Sequence, residues 1–269
     1  MFAIVITISA AVYQRLSGPT YPKKYSLTLN NQNYTFKLPR SYGENKNCEI
    51  KLNISDPSVT ATLKYRRYPT ADNWKEIKFV SNGESIIAEL PKQPPAGKLQ
   101  YQIQIYDAIN NYEIGEDNPL IIRFKGAVPL FILIPHILFM FFAMLLSNLT
   151  GIMAIAYEEK YRFYTIITTI SLLIGGLILG PIVQKYAFGE FWTGIPFGWD
   201  LTDNKLLIGF IFWILAFIAN LKHERRVYAI IASVVLLLIY TIPHSMFGSE
   251  LNYETGKIVT GSINALFIL

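Results

Sequence analysis

Residues 128–156 read VPLFILIPHILFMFFAMLLSNLTGIMAIA, and no Asp, Glu, Lys or Arg interrupts them. An uncharged apolar run of this length is typical of a transmembrane helix, because about 20 residues at 1.5 Å each cross the roughly 30 Å hydrocarbon layer of a bilayer. The run therefore predicts a helix that spans a membrane.

Three more apolar runs follow, over residues 163–184, 206–221 and 227–247, and short charged intervals separate them. Four such runs in succession do not fit a soluble domain of this size. Residues 127–269 are therefore predicted to form a four-helix transmembrane bundle. The last twelve residues, 258–269, are apolar but too short to span. They are expected to form an outer tail that lies in the membrane interface or packs on the bundle.

The chain also begins with an apolar run, in which the first fourteen residues are uncharged and Arg15 ends the segment. This run is short for a span and has no basic residues before it. A signal peptide, a short anchor, and an anchor whose start lies further upstream remain as alternatives. Because no small-x-small cleavage site stands before the polar segment, an N-terminal membrane anchor over residues 1–15 is favoured.

Between the anchor and the bundle, residues 20–125 alternate polar and apolar side chains with a period of two. The clearest run is 99–106, LQYQIQIY. Such alternation is typical of strands with one face in a core and one in water. The alternating runs are 26–29, 34–38, 49–54, 59–65, 77–80, 85–90 and 99–106. Turn residues such as Asn30-Asn31 separate them, which predicts an antiparallel β-sandwich of seven or eight short strands.

Within this region, residues 95–103, PAGKLQYQI, resemble the late strand of a fibronectin type III or immunoglobulin-like domain. The resemblance covers residues 20–125 at most. It implies an Ig-like sandwich and nothing about function. The predicted fold class is a membrane α+β protein, in which an N-terminal anchor and a β-sandwich precede the helical bundle.

The distribution of basic residues predicts the orientation. The intervals 158–162 and 222–226 hold five Lys and Arg, whereas the 186–205 loop with its flanks and the tail hold three. Cytoplasmic loops carry the excess of Lys and Arg. The sandwich, the 186–205 loop and the tail are therefore predicted outside the cytoplasm. The expected location is a bacterial inner membrane with the sandwich on the periplasmic side.

Composition and motifs exclude several functions. The net charge of +5 is spread along the predicted strands, which disfavours nucleic-acid binding and leaves anionic lipid or an acidic partner as better candidates. Cys48 is the only cysteine, so the chain has neither an internal disulfide nor a CxxC site. No nucleotide-binding, zinc-protease or serine-hydrolase motif occurs. A non-catalytic role is therefore favoured.

Two histidines lie inside predicted spans, each after a proline: Pro135-His136 and Pro243-His244. Ionisable residues within a membrane are rare and often functional. A facing pair could ligate haem b or hold a metal ion. The alternative is structural, because a neutral histidine can bond a carbonyl that the neighbouring proline leaves without a donor.

The outer loop contains the other candidate ligands. Asp200 and Asp203 precede the third predicted bundle helix, and Glu250 follows the fourth. Together with the histidines they could surround one polar pocket as metal ligands. The structural alternative is that Thr202 or Asp203 caps the helix. Loop aromatics such as Trp199 would lie at the level of the lipid headgroups.

Two functional hypotheses follow. In the first, the chain is a non-catalytic membrane component whose sandwich docks partner proteins or ligands; the expected partners are membrane lipid and other membrane or extracytoplasmic proteins. In the second, it is an electron-transfer subunit that binds haem b or a metal through His136 and His244.

Overall fold

The computed structural model describes residues 1–107, 110–244 and 248–259. These residues form two compact units. The helical unit contains Met1–Pro19 and Val128–Ser249, and the β unit contains Thr20–Ala127 together with Glu250–Val259. The β unit is thus assembled from two parts of the chain that are far apart in sequence.

The strands of the described residues all belong to the β unit. They are β1 (Lys23–Leu29), β2 (Gln32–Leu38), β3 (Ser41–Tyr42), β4 (Cys48–Leu52), β5 (Thr60–Tyr68), β6 (Lys75–Lys78), β7 (Val80–Ser81), β8 (Ile86–Leu90), β9 (Lys98–Tyr106), β10 (Asn111–Ile114), β11 (Leu120–Phe124), β12 (Glu250–Leu251) and β13 (Ile258–Val259). The largest sheet has the order β3-β11-β9-β5-β6, with β10 also paired to β9, and a second has the order β4-β8-β7. The hairpins β1-β2 and β12-β13 form two smaller sheets.

Alternation along these strands builds one hydrophobic core. In β4, Cys48, Ile50 and Leu52 are buried, whereas Glu49 and Lys51 are exposed. Buried residues from β1, β2, β4, β5, β8, β9, β10 and β11 belong to the same cluster. The seven alternating runs of the sequence fall on β1, β2, β4, β5, β6, β8 and β9. Among the described residues no sheet closes on itself, and the immunoglobulin-like sandwich stays a prediction.

The helical unit contains α1 (Phe2–Ser17), α2 (Leu130–Ile155), α3 (Tyr161–Leu172), a π-helical segment (Leu173–Leu179), α4 (Gly180–Phe188), α5 (Leu201–Ala219) and α6 (Arg226–Thr241). Of the described residues, three stretches are long and apolar enough to cross a membrane: Leu130–Ile155, Tyr161–Phe188 and Leu201–Ala219. This is compatible with a membrane protein. The apolar helices α1 and α6 are shorter, at 16 residues each.

Two helices differ in extent from the predicted spans. The fourth predicted run reached residue 247, but α6 ends at Thr241 because Ile242 is extended before Pro243, as the residue before a proline prefers. The third run was predicted from residue 206, but α5 begins at Leu201 because Asp200 caps it. The fourth membrane span therefore stays a prediction.

Two sets of hydrogen bonds identify the ends of the helical unit. At the first, called the loop end, the Ile242 carbonyl after α6 accepts from Gln14 of α1 (3.4 Å) and from Lys205 near the start of α5 (2.7 Å). At the other, called the turn end, Asn220 after α5 accepts from Tyr161 at the start of α3 (2.6 Å) and from the Arg225 amide before α6 (2.8 Å). Helices α5 and α6 are therefore antiparallel neighbours over their whole lengths.

Candidate functional site

A group of buried and half-buried polar side chains lies at the loop end. Gln184, Thr193, Asp200, Asp203 and Ser249 are joined by hydrogen bonds, and Lys205 lies near the start of the same helix, α5. One oxygen of Asp203, Oδ2, accepts three hydrogen bonds: from the Thr193 amide (2.6 Å), the Thr193 hydroxyl (3.1 Å) and the Gln184 side-chain amide (3.0 Å). Buried carboxylates persist when hydrogen bonds replace the lost water. Asp203 thereby joins α4, the 189–200 loop and α5.

Asp200 carries the network to the segment that follows α6. Its Oδ1 accepts from the Thr202 amide (2.8 Å), so Asp200 is the N-cap of α5. Its Oδ2 accepts from both the amide and the hydroxyl of Ser249, each at 3.1 Å. The hydroxyls of Ser249 and Thr193 lie 3.3 Å apart. Since Ser249 bonds Asp200 and Thr193 bonds Asp203, this contact connects the two aspartates. The expectation that Thr202 or Asp203 caps the helix was therefore wrong.

Lys205 contributes the positive charge of this group of side chains. Its ammonium group is buried and donates to the Ile242 carbonyl (2.7 Å), and it lies 3.4 Å from Nδ1 of His244. An ammonium group has only donors, so Nδ1 of His244 accepts. In a neutral ring the proton is then on Nε2, which leaves that nitrogen without the lone pair that a metal requires.

His136 has a different environment. Its Nδ1 lies 2.8 Å from the carbonyl oxygen of Gly175, in the π-helical segment. A carbonyl only accepts, so Nδ1 carries a hydrogen, and in the neutral ring Nε2 keeps a lone pair. Gly175 permits the approach of this segment to α2, because a Cβ there would lie 2.7 Å from Cβ of Phe139. Such π-helical turns occur frequently at functional sites.

Glu250 belongs to the β unit. Its Oε2 lies 3.0 Å from Nζ of Lys98 in a largely buried ion pair. Burial lowers the pKa of Lys98, and the charge of Glu250 partly offsets that effect. The same hairpin is held by the Leu251 amide, which donates to the Ala96 carbonyl (3.1 Å), and by the Tyr253 hydroxyl, 3.0 Å from Gln93 Oε1 and 2.9 Å from the Lys98 carbonyl.

The β unit also contains an open groove with a volume of about 600 Å³. Strands β6 and β7, each the last strand of its sheet, both contribute to the lining. The lining residues are Asn47, Tyr65, Ile77, Lys78, Val80, Ser81, Asn82, Ile87, Ala88, Glu89 and Pro91. Val80, in β7, is 70% exposed. The lining therefore combines several apolar side chains with one acidic side chain, Glu89, and one basic side chain, Lys78.

The predicted ligand residues thus lie in four environments. Asp200 and Asp203 are connected through Thr193 and Ser249, and His244 lies beside Lys205. His136 bonds the π-helical segment, and Glu250 pairs with Lys98. Within residues 1–107, 110–244 and 248–259, no group of three or more His, Cys, Asp or Glu could hold a metal ion.

Sequence reasoning missed Gln184, Thr193, Lys205 and Ser249. Lys205 carried a usable signal, since a charge five residues after a cap lies inside the first two turns of an apolar helix and needs a partner. The other three are common uncharged polar residues, and their sequence context does not distinguish them from solvated ones.

Comparison with protein-family models, with curated proteins and with solved structures finds no match to this chain.

Proposed function

We propose that this chain is a non-catalytic integral membrane protein whose β unit binds an extended segment of a partner protein. The observation that carries the proposal is the groove beside β6 and β7. Terminal strands present unpaired backbone donors and acceptors on one side. An extended peptide can add to such an edge while its apolar side chains enter adjacent pockets.

The groove lining favours a polypeptide over a small charged ligand. Apolar side chains contribute much of the lining, among them Ile77, Val80 and Ile87. Lys78 and Glu89 provide one charge of each sign, so the lining has no net charge to select an anion or a cation. A segment with alternating apolar and polar residues matches both features.

The proposal includes four membrane spans after the β unit. The antiparallel pairing of α5 with α6 supports this, because Lys205 and Asn220 of one helix meet Ile242 and Arg225 of the other. If α5 crosses the membrane, α6 crosses the same layer. The composition of the β unit gives a second argument: Thr20–Ala127 and Glu250–Val259 form one unit, which requires an even number of crossings between them.

The orientation in the proposal follows the charges of the turn end. Lys160, Arg162, Lys222, Arg225 and Arg226 lie there, and basic loops remain in the cytoplasm. The β unit is then extracytoplasmic, with an Ig-like sandwich architecture supported by the single core that its two larger sheets share. In a bacterium this places it in the periplasm.

Site-specific photocrosslinking tests the groove. A photoreactive phenylalanine replaces Val80 in the full chain, in its own membrane. Val259, a second exposed valine of the β unit outside the groove, takes the same substitution as the matched control. We expect one discrete protein adduct at position 80 and none at position 259. Lipid adducts alone at position 80, or equal adducts at both positions, would contradict the proposal.

The electron-transfer alternative has one observation in its favour. The Nδ1–H bond of His136 to the Gly175 carbonyl orients the ring as metal-ligating histidines are usually oriented, with Nε2 available. His244 offers no matching lone pair while Lys205 bonds its Nδ1. A Soret band in the purified protein that disappears in His136→Ala would favour this second function over the first.

A further inference from the structure

The 189–200 loop presents three apolar side chains at its tip. Phe197 is 79% exposed, Trp199 is 72% exposed and Ile195 is 47% exposed. Large apolar side chains at adjacent exposed positions are uncommon on surfaces that face water. The three residues are called the apolar tip below.

The base of the loop is firmly held, so the exposure of the tip is part of the folded structure. The Asp200 amide donates to the Thr193 carbonyl (3.0 Å) and closes the loop. The Ile195 amide donates to Asn204 Oδ1 (2.7 Å), and the Trp192 indole donates to the Ile195 carbonyl (3.1 Å). Amides of Phe197 and Gly198 both donate to the Gly194 carbonyl, at 2.8 and 2.9 Å.

The position of the loop in the chain limits what surrounds the tip. The loop leaves Tyr161–Phe188 and enters Leu201–Ala219, both of which are long and apolar enough to cross a membrane. It therefore lies at the boundary between hydrocarbon and water. Residues 191–199 contain no charged side chain. Trp and other aromatic side chains with an apolar body are favoured at this depth.

We propose that the apolar tip is a preformed anchor that inserts into the headgroup layer of the bilayer. Lipid is favoured over a partner protein because the helical stretches on both sides of the loop are long and apolar enough to span and carry exposed apolar side chains, Ile178 before the loop and Ile208 after it. The inference rests on membrane insertion of the helices, and is independent of what the groove binds.

Fluorescence quenching in lipid vesicles tests the insertion. The full chain is reconstituted in phosphatidylcholine brominated either near the headgroup or near the chain ends. The difference between the wild type and Trp199→Phe isolates the emission of Trp199 from that of Trp74, Trp192 and Trp213. We expect Trp199 to lose most of its emission to the shallow bromines, less to the deep ones, and little to aqueous acrylamide. Trp74, isolated in the same way with Trp74→Phe, should respond to neither bromolipid.

Each other outcome is decisive. Acrylamide quenching of Trp199 without bromolipid quenching would place the tip in water, and shielding from both quenchers would place it under protein; either result overturns the anchor. Phe197→Trp in the Trp199→Phe background should reproduce the shallow quenching and guards against a local effect of the first variant. Extraction of the whole chain from the vesicles by alkaline carbonate would instead refute the membrane insertion on which the proposed function depends.

Discussion

Among single residues, Asp203 links three segments at the loop end, because one of its carboxylate oxygens accepts three hydrogen bonds in a buried position. Asp203→Ala leaves the Thr193 amide without its acceptor, whereas the Gln184 side-chain amide keeps its hydrogen bond to the Thr193 hydroxyl (2.6 Å). An unsatisfied buried donor costs about 1–3 kcal/mol. We expect a loss of stability of about this size, measured by thermal unfolding in detergent, and faster hydrogen exchange at the Thr193 amide.

Glu190→Ala is the control for this variant, because Glu190 is an exposed carboxylate of the same loop region. Exposed substitutions of this kind change stability by roughly 0.5 kcal/mol or less. If the two variants unfold alike and Thr193 exchanges at an unchanged rate, Asp203 does not hold the loop.

The sequence drew attention to Asp200 and Asp203 but assigned the cap to the wrong residue. Local rules favour Asp, Ser and Thr at a helix start about equally, so Asp200, Thr202 and Asp203 could not be separated by type. The choice depends on Ser249 and Thr193, which become neighbours of the aspartates only through tertiary structure. The same reason applies to His136 and His244, whose similar Pro-His contexts conceal unlike partners.

At the scale of elements, the contact between α2 and α6 depends on a glycine. A Cβ on Gly151 would lie 2.7 Å from Cβ of Ser233 and still closer to its hydroxyl. Small residues allow such helix approaches in membranes. We expect Gly151→Ala to destabilise the protein by about 1–3 kcal/mol through overpacking, measured as a lower Tm in detergent.

The second-site variant makes this prediction specific. Ser233→Gly removes both atoms that the new methyl group would meet, so the double variant should recover most of the lost Tm. Gly43→Ala should have little effect, because no atom lies within 4 Å of the added Cβ. A double variant no more stable than Gly151→Ala would show that the contact with Ser233 is not the cause.

The β12-β13 hairpin contains Tyr253, whose hydroxyl has a raised pKa. Burial raises the pKa of Tyr253 to about 12. The single hydrogen of its hydroxyl is shared between two acceptors, Gln93 Oε1 and the Lys98 carbonyl, and ionisation removes it. Because the pKa of Tyr253 is higher in the folded than in the unfolded protein, the protonated hydroxyl stabilises the folded state. This contribution to the free energy of unfolding is complete below pH 10.0, the unfolded pKa, and is lost as the pH rises through about 12. Docking of the hairpin should therefore weaken in that range.

An alkaline absorbance titration measures this pKa directly. The difference between the wild type and Tyr253→Phe should contain one phenolate transition with a midpoint near 12. A midpoint near the ordinary value for tyrosine would mean that the hydroxyl is solvated and the hairpin is not held through it. Tyr253→Phe should also be the less stable protein at neutral pH, because Gln93 and the Lys98 carbonyl lose a donor.

Elements with a strong local pattern were predicted well, and elements defined by distant partners were not. The alternating strand at residues 99–106 and the apolar helix at 128–156 fall on β9 and α2 almost completely. The short strands β12 and β13 have two residues each, too few for any periodicity, and they bond to a loop some 150 residues earlier. The last helix ends at Thr241 rather than at residue 247 for a local reason, Pro243, which the prediction from apolar composition did not take into account.

For the whole molecule, the number of membrane crossings decides which surfaces can meet which partners. The β unit contains residues from both sides of the four bundle helices in sequence, so an even number of crossings must separate Ala127 from Glu250. Three stretches are long and apolar enough to span. If all three cross the membrane, as proposed, the short helix α6 is the fourth span, although its 16 residues cover only about 24 Å at 1.5 Å per residue. Hydrocarbon thinner than its usual 30 Å, or extended residues after Thr241, accommodates the difference.

Thiol labelling tests this arrangement with single cysteines in a Cys48→Ala background. Glu84 and Glu254 are exposed in the two parts of the β unit, and Lys222 is exposed at the turn end. A membrane-impermeant reagent should label Glu84→Cys and Glu254→Cys in intact cells, and Lys222→Cys only after the membrane is permeabilised. If Glu254→Cys, like Lys222→Cys, is labelled only after the membrane is permeabilised, three crossings separate positions 84 and 254. The two parts of the chain that form the β unit would then lie on opposite sides of the membrane, which contradicts the structure. If Lys222→Cys is labelled in intact cells and positions 84 and 254 only after permeabilisation, the four spans are kept but the orientation is reversed. The groove would then lie in the cytoplasm and bind a cytoplasmic partner.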